Sequence, residues 1–218
     1  MEIRAFRLRL KSIGLALYPP IIVIYVIIPI ISMLLYNSNI DKILAYLYIH
    51  NAIDLYVPIM CAWWILCILV GFTEEEQEAV KCNAYFQDIK ECSLALLLFL
   101  LNLLIGFSFL YIFFSQEFYL MIFLDEVKTI IQSIFFAAIV YSIIVFTKST
   151  LFTLFFLILY CVIMTMIVEG QGIIINIFSQ CQFMTYDIII NKYLIFLLIA
   201  CLVLGIAILV KINRRKIK

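Results

Sequence analysis

The sequence predicts an all-α integral membrane protein. It has six transmembrane helices, an N-terminal amphipathic in-plane helix, a cytoplasmic amphipathic helix between spans two and three, and an extracellular re-entrant hairpin before span six. Three observations predict this. Of 218 residues, 67% are hydrophobic and 13% charged, with a mean hydropathy of +1.19, whereas soluble domains sit near about 45–50% apolar and about 25% charged. The apolar residues form runs close to the roughly 20 residues that an α-helix needs to cross hydrocarbon. The charges gather in the breaks between those runs. A net charge of +1 points to neither nucleic acid nor an acidic ligand.

Residues 1–16 form the first unit. Ile3, Phe6, Leu10, Ile13 and Leu17 recur at spacings of three and four, so they share one helical face. Arg7 and Arg9 flank the stripe while Arg4 and Lys11 point away, the pattern of a basic helix lying along headgroups. The stretch lacks the small-residue cleavage site of a secretory signal and is expected to be retained. Pro19-Pro20 then turns the chain into the first span.

The six spans are 17–36, 53–71, 93–114, 129–146, 150–168 and 193–210. Pro29 and Pro58 fall inside the first two, where a proline frees a carbonyl and neighbouring helices absorb the kink. Asn102 is the amide well inside a span and is expected to bond another helix. Thr147-Lys148-Ser149 is a turn at a membrane surface. With six spans the termini share a side. Twelve Lys and Arg then collect on that side and only Lys42, Lys128 and Lys192 on the other, while the acids divide evenly. This bias puts both termini and residues 72–92 in the cytoplasm, and the Ile-, Phe-, Tyr- and Asn-rich composition suggests a bacterial cytoplasmic membrane.

Three connections face outward. Residues 37–52 hold a possible short helix, and 115–128 an apolar run too short to cross, resting at the interface. Residues 169–192 form two apolar pieces split by a polar kink, read as the re-entrant hairpin. The whole chain, 1–218, is one transmembrane domain. Seven cysteines in apolar or charged segments read as free thiols, and the single His50 cannot build a multi-histidine metal site.

The most polar segment is 72–92, with six of the 14 acidic residues. Glu74, Glu75, Glu76 and Glu78 suit the first turns of a helix starting near Thr73, where the helix dipole favours negative charge, and Thr73 with Glu76 has capping-box spacing. Tyr85, Phe86 and Ile89 form an apolar cluster with Asp88, Lys90 and Glu91 around it. Such a helix would project into the cytosol.

In the order of these parts the chain resembles the permease subunit of ABC-2 type (type V) exporters. The amphipathic Glu2 to Leu17, the Phe72-Thr-Glu-Glu-Glu-Gln-Glu stretch leading to Asp88-Ile-Lys-Glu91, and the 169–192 hairpin carry the resemblance. The chain has that family's acids after span two without its Gly-Thr or its Pro-x-x-Arg ending. The resemblance implies that 72–92 is a coupling helix docking into a separate ATPase through Glu74, Glu75, Glu76, Glu78, Tyr85, Phe86 and Asp88. It implies two ATPase copies that carry ATP and Mg, and a second permease, self or paralogue. The chain has no G-x-x-x-x-G-K-[ST] loop, so it is expected to bind no cofactor and to catalyse nothing itself. Spans one, two and five would line the pathway, with Tyr25, Met33, Tyr56, Trp63, Trp64, Phe155 and Phe156. No charge falls at the centre of a span, Asp54 being the nearest case, so a pathway without buried ions suits a hydrophobic or amphipathic cargo: peptide, lipid or drug.

Other classes fit less well. An intramembrane protease would need an Arg after Glu74-Glu75 and a histidine on the same side, and this chain has neither. A substrate-capture component of an energy-coupling-factor importer matches in size but lacks the long charged helix after span two. A small membrane scaffold or immunity protein is the third alternative.

Overall fold

A computed structural model describes residues 14–38, 40–73, 87–166, 176–178 and 183–216. The in-plane stretch before Gly14, the Glu74–Glu78 acids, Tyr85 and Phe86, and residues 169–175 and 179–182 of the 169–192 hairpin lie outside the described residues. Everything regular among the described residues is helical. Five helices are long and apolar enough to cross a membrane, so the chain is a multi-pass helical membrane protein.

Helix α1 is built in pieces: a 3-10 turn Gly14–Leu17, α-helix Tyr18–Ile22, a π segment Val23–Ile27 and α-helix Ile28–Tyr36. Pro29 explains the π segment. It has no N–H for the carbonyl of Tyr25, and the wider turn takes up the ring that would otherwise clash there. Helix α2 runs Lys42–Thr73 through Pro58, which has no N–H for the carbonyl of Asp54. Helices α3 (Gln87–Phe114) and α4 (Gln116–Thr147) follow with no loop between them; the break is the single non-helical residue Phe118. Helix α5 is Thr150–Met166. Helix α6 joins Tyr186–Ile188, a π segment Ile189–Tyr193 and Leu194–Lys216.

Phe118 reverses the chain. Tyr141 hydrogen-bonds Asp88 at 3.2 Å across 53 residues of sequence, which would stand about 80 Å apart in a straight helix. Near the bend, Tyr111 reaches Glu126 at 3.1 Å. So α3 and α4 are antiparallel arms of a tight hairpin.

Such contacts define two ends. At the basal end Trp63 and Trp64 donate their indole N–H to the carbonyls of Ala16 and Leu17 at 2.9 and 3.0 Å, and Asp88, Tyr141 and Lys211 meet. At the distal end Lys42 pairs with Glu117 at 2.6 Å, and Tyr36 packs on Phe113 and Phe114. Two apolar cores fill the space between. One joins α1, α2 and α3 around Ile24, Val57, Phe99 and Phe107. The other joins α2, α4 and α6 around Ile65, Phe136, Val140 and Phe196. Gly106 permits the closest approach of α1 to α3, since a Cβ there would come within 2.6 Å of Ile24 Cγ2. One turn below, Tyr25 donates to Asn102 at 2.7 Å, the interhelical bond that the lone amide predicts. Lys148 adopts φ 53° between α4 and α5, and the Ser149 hydroxyl caps the start of α5 by accepting from the Phe152 N–H, so the expected turn is present.

Several sequence boundaries are corrected. The short helix of 37–52 is the opening of α2, which runs on through Thr73. Residues 115–128 are not a separate run; they supply the bend and the first turns of α4. Helix α3 begins at Gln87, not at 93, and α6 begins at Tyr186, inside the expected hairpin, where Thr185 accepts from the Ile188 N–H. Of the expected fifth span, 150–168, the described residues Thr150–Met166 form one helix, about 26 Å long. One cause is common to three of these shifts. Charges that seemed to end the spans are carried inside the helices because they pair with each other.

Candidate functional site

Two polar stripes meet at the distal end. Tyr46, His50 and Asp54 stand four residues apart on one face of α2, and Asp125, Lys128 and Gln132 repeat at three and four on one face of α4. All six side chains are buried, Lys128 and Gln132 completely. The bundle therefore encloses ions, Asp54 among them, that the sequence placed only at the ends of the spans or in the outer connections. Lys128 Nζ lies 3.2 Å from Asp54 and 3.4 Å from Asp125, bridging the carboxylates. Asp125 also takes His50 Nδ1 at 2.8 Å and a short hydrogen bond from the Tyr46 hydroxyl. Gln132 donates at 2.7 Å to Asp54 and at 2.9 Å to the carbonyl of Ile177. That carbonyl also accepts from Tyr193, and the neighbouring Phe178 carbonyl accepts from Lys192, so the π segment of α6 closes the cluster from a third side. Asn176 Nδ2 ties the same strip to the carbonyl of Met164 at the end of α5.

The cluster lies high in the bundle. Asp54 stands sixteen residues, about 24 Å, from Val70 at the foot of its helix and twelve from Lys42 at its head. Burying an ion there costs several kcal/mol, on the order of 3 on translocon scales, and only a partner in contact offsets it. Each ion here has one. Two buried acceptor atoms nonetheless make no hydrogen bond, Gln132 Oε1 and Asp125 Oδ1, the latter facing Lys128 as an ion contact.

A second polar knot ties the basal end. Asp88, in the first turn of α3, is buried, bonded to Lys211 of α6 and to Tyr141 of α4. It does not project into water, as the sequence suggested. Arg214 of α6 donates at 2.9 Å and 3.4 Å to the carbonyls of Val145 and Phe146, which end α4 without helical partners. Three helices are thus locked where α3 leaves the acidic segment.

The sequence-predicted pathway residues are not brought to one place. Trp63 and Trp64 hold α1, and Tyr25 holds α3 through Asn102. Met33, Tyr56, Phe155 and Phe156 are exposed on the outside of the bundle. No hydrogen bond or ring contact joins any two of the seven. Of the predicted coupling residues, Asp88 alone is described. No group of three metal-ligating side chains stands together among the described residues, and the five described cysteines are free. Sequence reasoning missed His50, Asp125, Lys128 and Gln132 as a set. The signal was the helical spacing of polar residues in two segments then taken as outer connections.

No protein-family model, curated protein or solved structure matches this chain.

Proposed function

We propose that this chain is the membrane permease subunit of an ATP-driven exporter of the ABC-2 type, worked by a separate pair of ATPase subunits. The observation that carries the reading is the basal knot. The acidic segment 74–86 joins α2 to α3, and the first turn of α3 is bonded through Asp88 to α4 and α6. A push on that segment is delivered to three helices at once, which is what a coupling element must do. The order of helices supports the same reading: α1 and α2 before the acidic segment, then α3, α4, α5, the strip 176–178 and α6. With α5 counted as a crossing, the chain spans six times. The Lys and Arg bias then sets the basal end in the cytoplasm and the charge cluster toward the outside.

In this reading ATP and Mg bind the partner ATPase, and closure of two ATPases moves residues 72–92. A second permease, self or paralogue, completes the pathway across the apolar faces of α1 and α5, where Met33, Phe155 and Phe156 are exposed. The cargo is hydrophobic or amphipathic, because those faces carry no charge. Charge reversal tests the coupling: Glu74→Lys, Glu75→Lys, Glu76→Lys and Glu78→Lys together should abolish ATPase association and transport-linked ATP hydrolysis. Unchanged association and hydrolysis would remove the coupling assignment.

A further inference from the structure

The basal end carries cations that its acids do not engage. Residues 188–218 hold six Lys and Arg and no acid, five of them within 211–218. Lys211 is bonded to Asp88. Arg214 and Lys148 are both exposed, and no acid among the described residues pairs with either.

The turn between α4 and α5 brings these two cations together. Arg214 gives two N–H groups to the carbonyls of Val145 and Phe146, just before Lys148 in the chain. A guanidinium has five N–H donors, so three remain on a group fixed beside the turn. Lys148 is the residue that closes α4: its N–H bonds the Ile144 carbonyl at 2.8 Å and its φ is 53°. Glycine is the usual residue in that position, because a side chain is strained at positive φ. Among the described residues Lys148 is the one non-glycine held so. Strained backbone of this kind clusters at sites of function. The residues that flank the turn are apolar and exposed: Phe146, Leu151 and Phe152. Charge and open apolar surface therefore adjoin.

We propose that Lys148 and Arg214 bind the phosphate of an anionic membrane phospholipid, whose acyl chains lie along Phe146, Leu151 and Phe152. The free N–H groups of the guanidinium donate to the phosphate oxygens, and the ammonium adds a point charge beside them. A soluble phosphate would leave the apolar residues bare, and an acidic protein face would bring no chains to cover them. The inference needs only that the chain spans a membrane, so it does not rest on the ATPase reading.

Native mass spectrometry reads the site on the full-length protein, released from detergent that holds phosphatidylglycerol and phosphatidylcholine at equal concentration. The expected result is phosphatidylglycerol bound in preference to phosphatidylcholine. Lys148→Gly removes the ammonium and suits φ 53°, so the fold is not at risk. Its phosphatidylglycerol affinity should fall roughly fivefold, and roughly thirtyfold with Arg214→Gln added, the usual effect of one and two cations at an anionic surface. Glycerophosphoglycerol, the same headgroup without acyl chains, should bind at least about tenfold more weakly than the lipid. Equal binding of the two lipids by the parent overturns the proposal. So does a Lys148→Gly protein that keeps the parent's preference, whatever protein partner it loses. Equal affinity for the headgroup alone would replace the lipid by a free phosphate.

Discussion

Lys128→Met will destabilise the chain by about 3–5 kcal/mol, the cost of leaving a buried charge without its partner. The methionine fills nearly the same volume, so packing is not the cause. The loss is electrostatic: Asp54 and Asp125, both buried, would face each other with no cation between them. Tyr46, His50 and Gln132 would still donate, but neutral donors do not offset two ions. Against a typical net stability of about 5–15 kcal/mol, the effect is large enough to remove a monodisperse peak in detergent. Thermal unfolding followed by size-exclusion chromatography reads it. The triple variant with Asp54→Asn and Asp125→Asn should recover most of the loss, since neutral isosteres of a buried ion cluster are often tolerated. A single variant as stable as the parent, or a triple variant no better than the single, would mean that the pairing is not what holds α2 to α4.

Asp88→Ala will cost less stability and more function. Lys211 is about one-fifth exposed, so once released it can turn toward water and keep its hydration. The stability cost is then that of a lost charged hydrogen bond, about 1.5–3 kcal/mol at most, lowered by that exposure. The functional cost follows from position. Asp88 is the described link from the acidic segment to α4 and α6. If the chain is the permease proposed above, cutting it should leave the ATPase bound and hydrolysing while cargo movement per ATP falls at least about tenfold. Vesicle transport measured beside ATP hydrolysis separates the two. An unchanged ratio of cargo to ATP would deny the knot its coupling role. A double-mutant cycle with Lys211→Met adds a check, because two residues that act as a pair give non-additive losses.

Much of the fold was legible in the residues. The apolar runs located all six helices, Lys148 marked the turn into α5, and Asn102 announced a bond to another helix that Tyr25 supplies. Boundaries failed where a charge was read as an end. Asp88 and Glu91 belong to α3 because Lys211 and Tyr141 neutralise the first and Gln87 bonds the second. Asp125 and Lys128 belong to α4 because His50 and Asp54 come from α2. Apart from Gln87, these partners lie tens of residues away in sequence, so no local window shows them. The reversal at Phe118 was hidden for a different reason: it spends one residue, an aromatic, and no glycine or proline marks it. The stripes Tyr46–His50–Asp54 and Asp125–Lys128–Gln132 were readable as spacing. What the sequence could not supply is that the two face each other.

In the proposed role this chain transmits the work of another subunit. The most direct measurement is gentle-detergent purification of the full-length chain from its native host, with the stoichiometry and ATP hydrolysis of whatever accompanies it. The expected result is a complex of two permeases with two ATPase subunits bearing a G-x-x-x-x-G-K-[ST] loop. That complex should hydrolyse ATP and lose its ATPases when Glu74, Glu75, Glu76 and Glu78 are changed to Lys. A stable, lone monomer, with no ATPase recovered under conditions that preserve other membrane complexes, would contradict it.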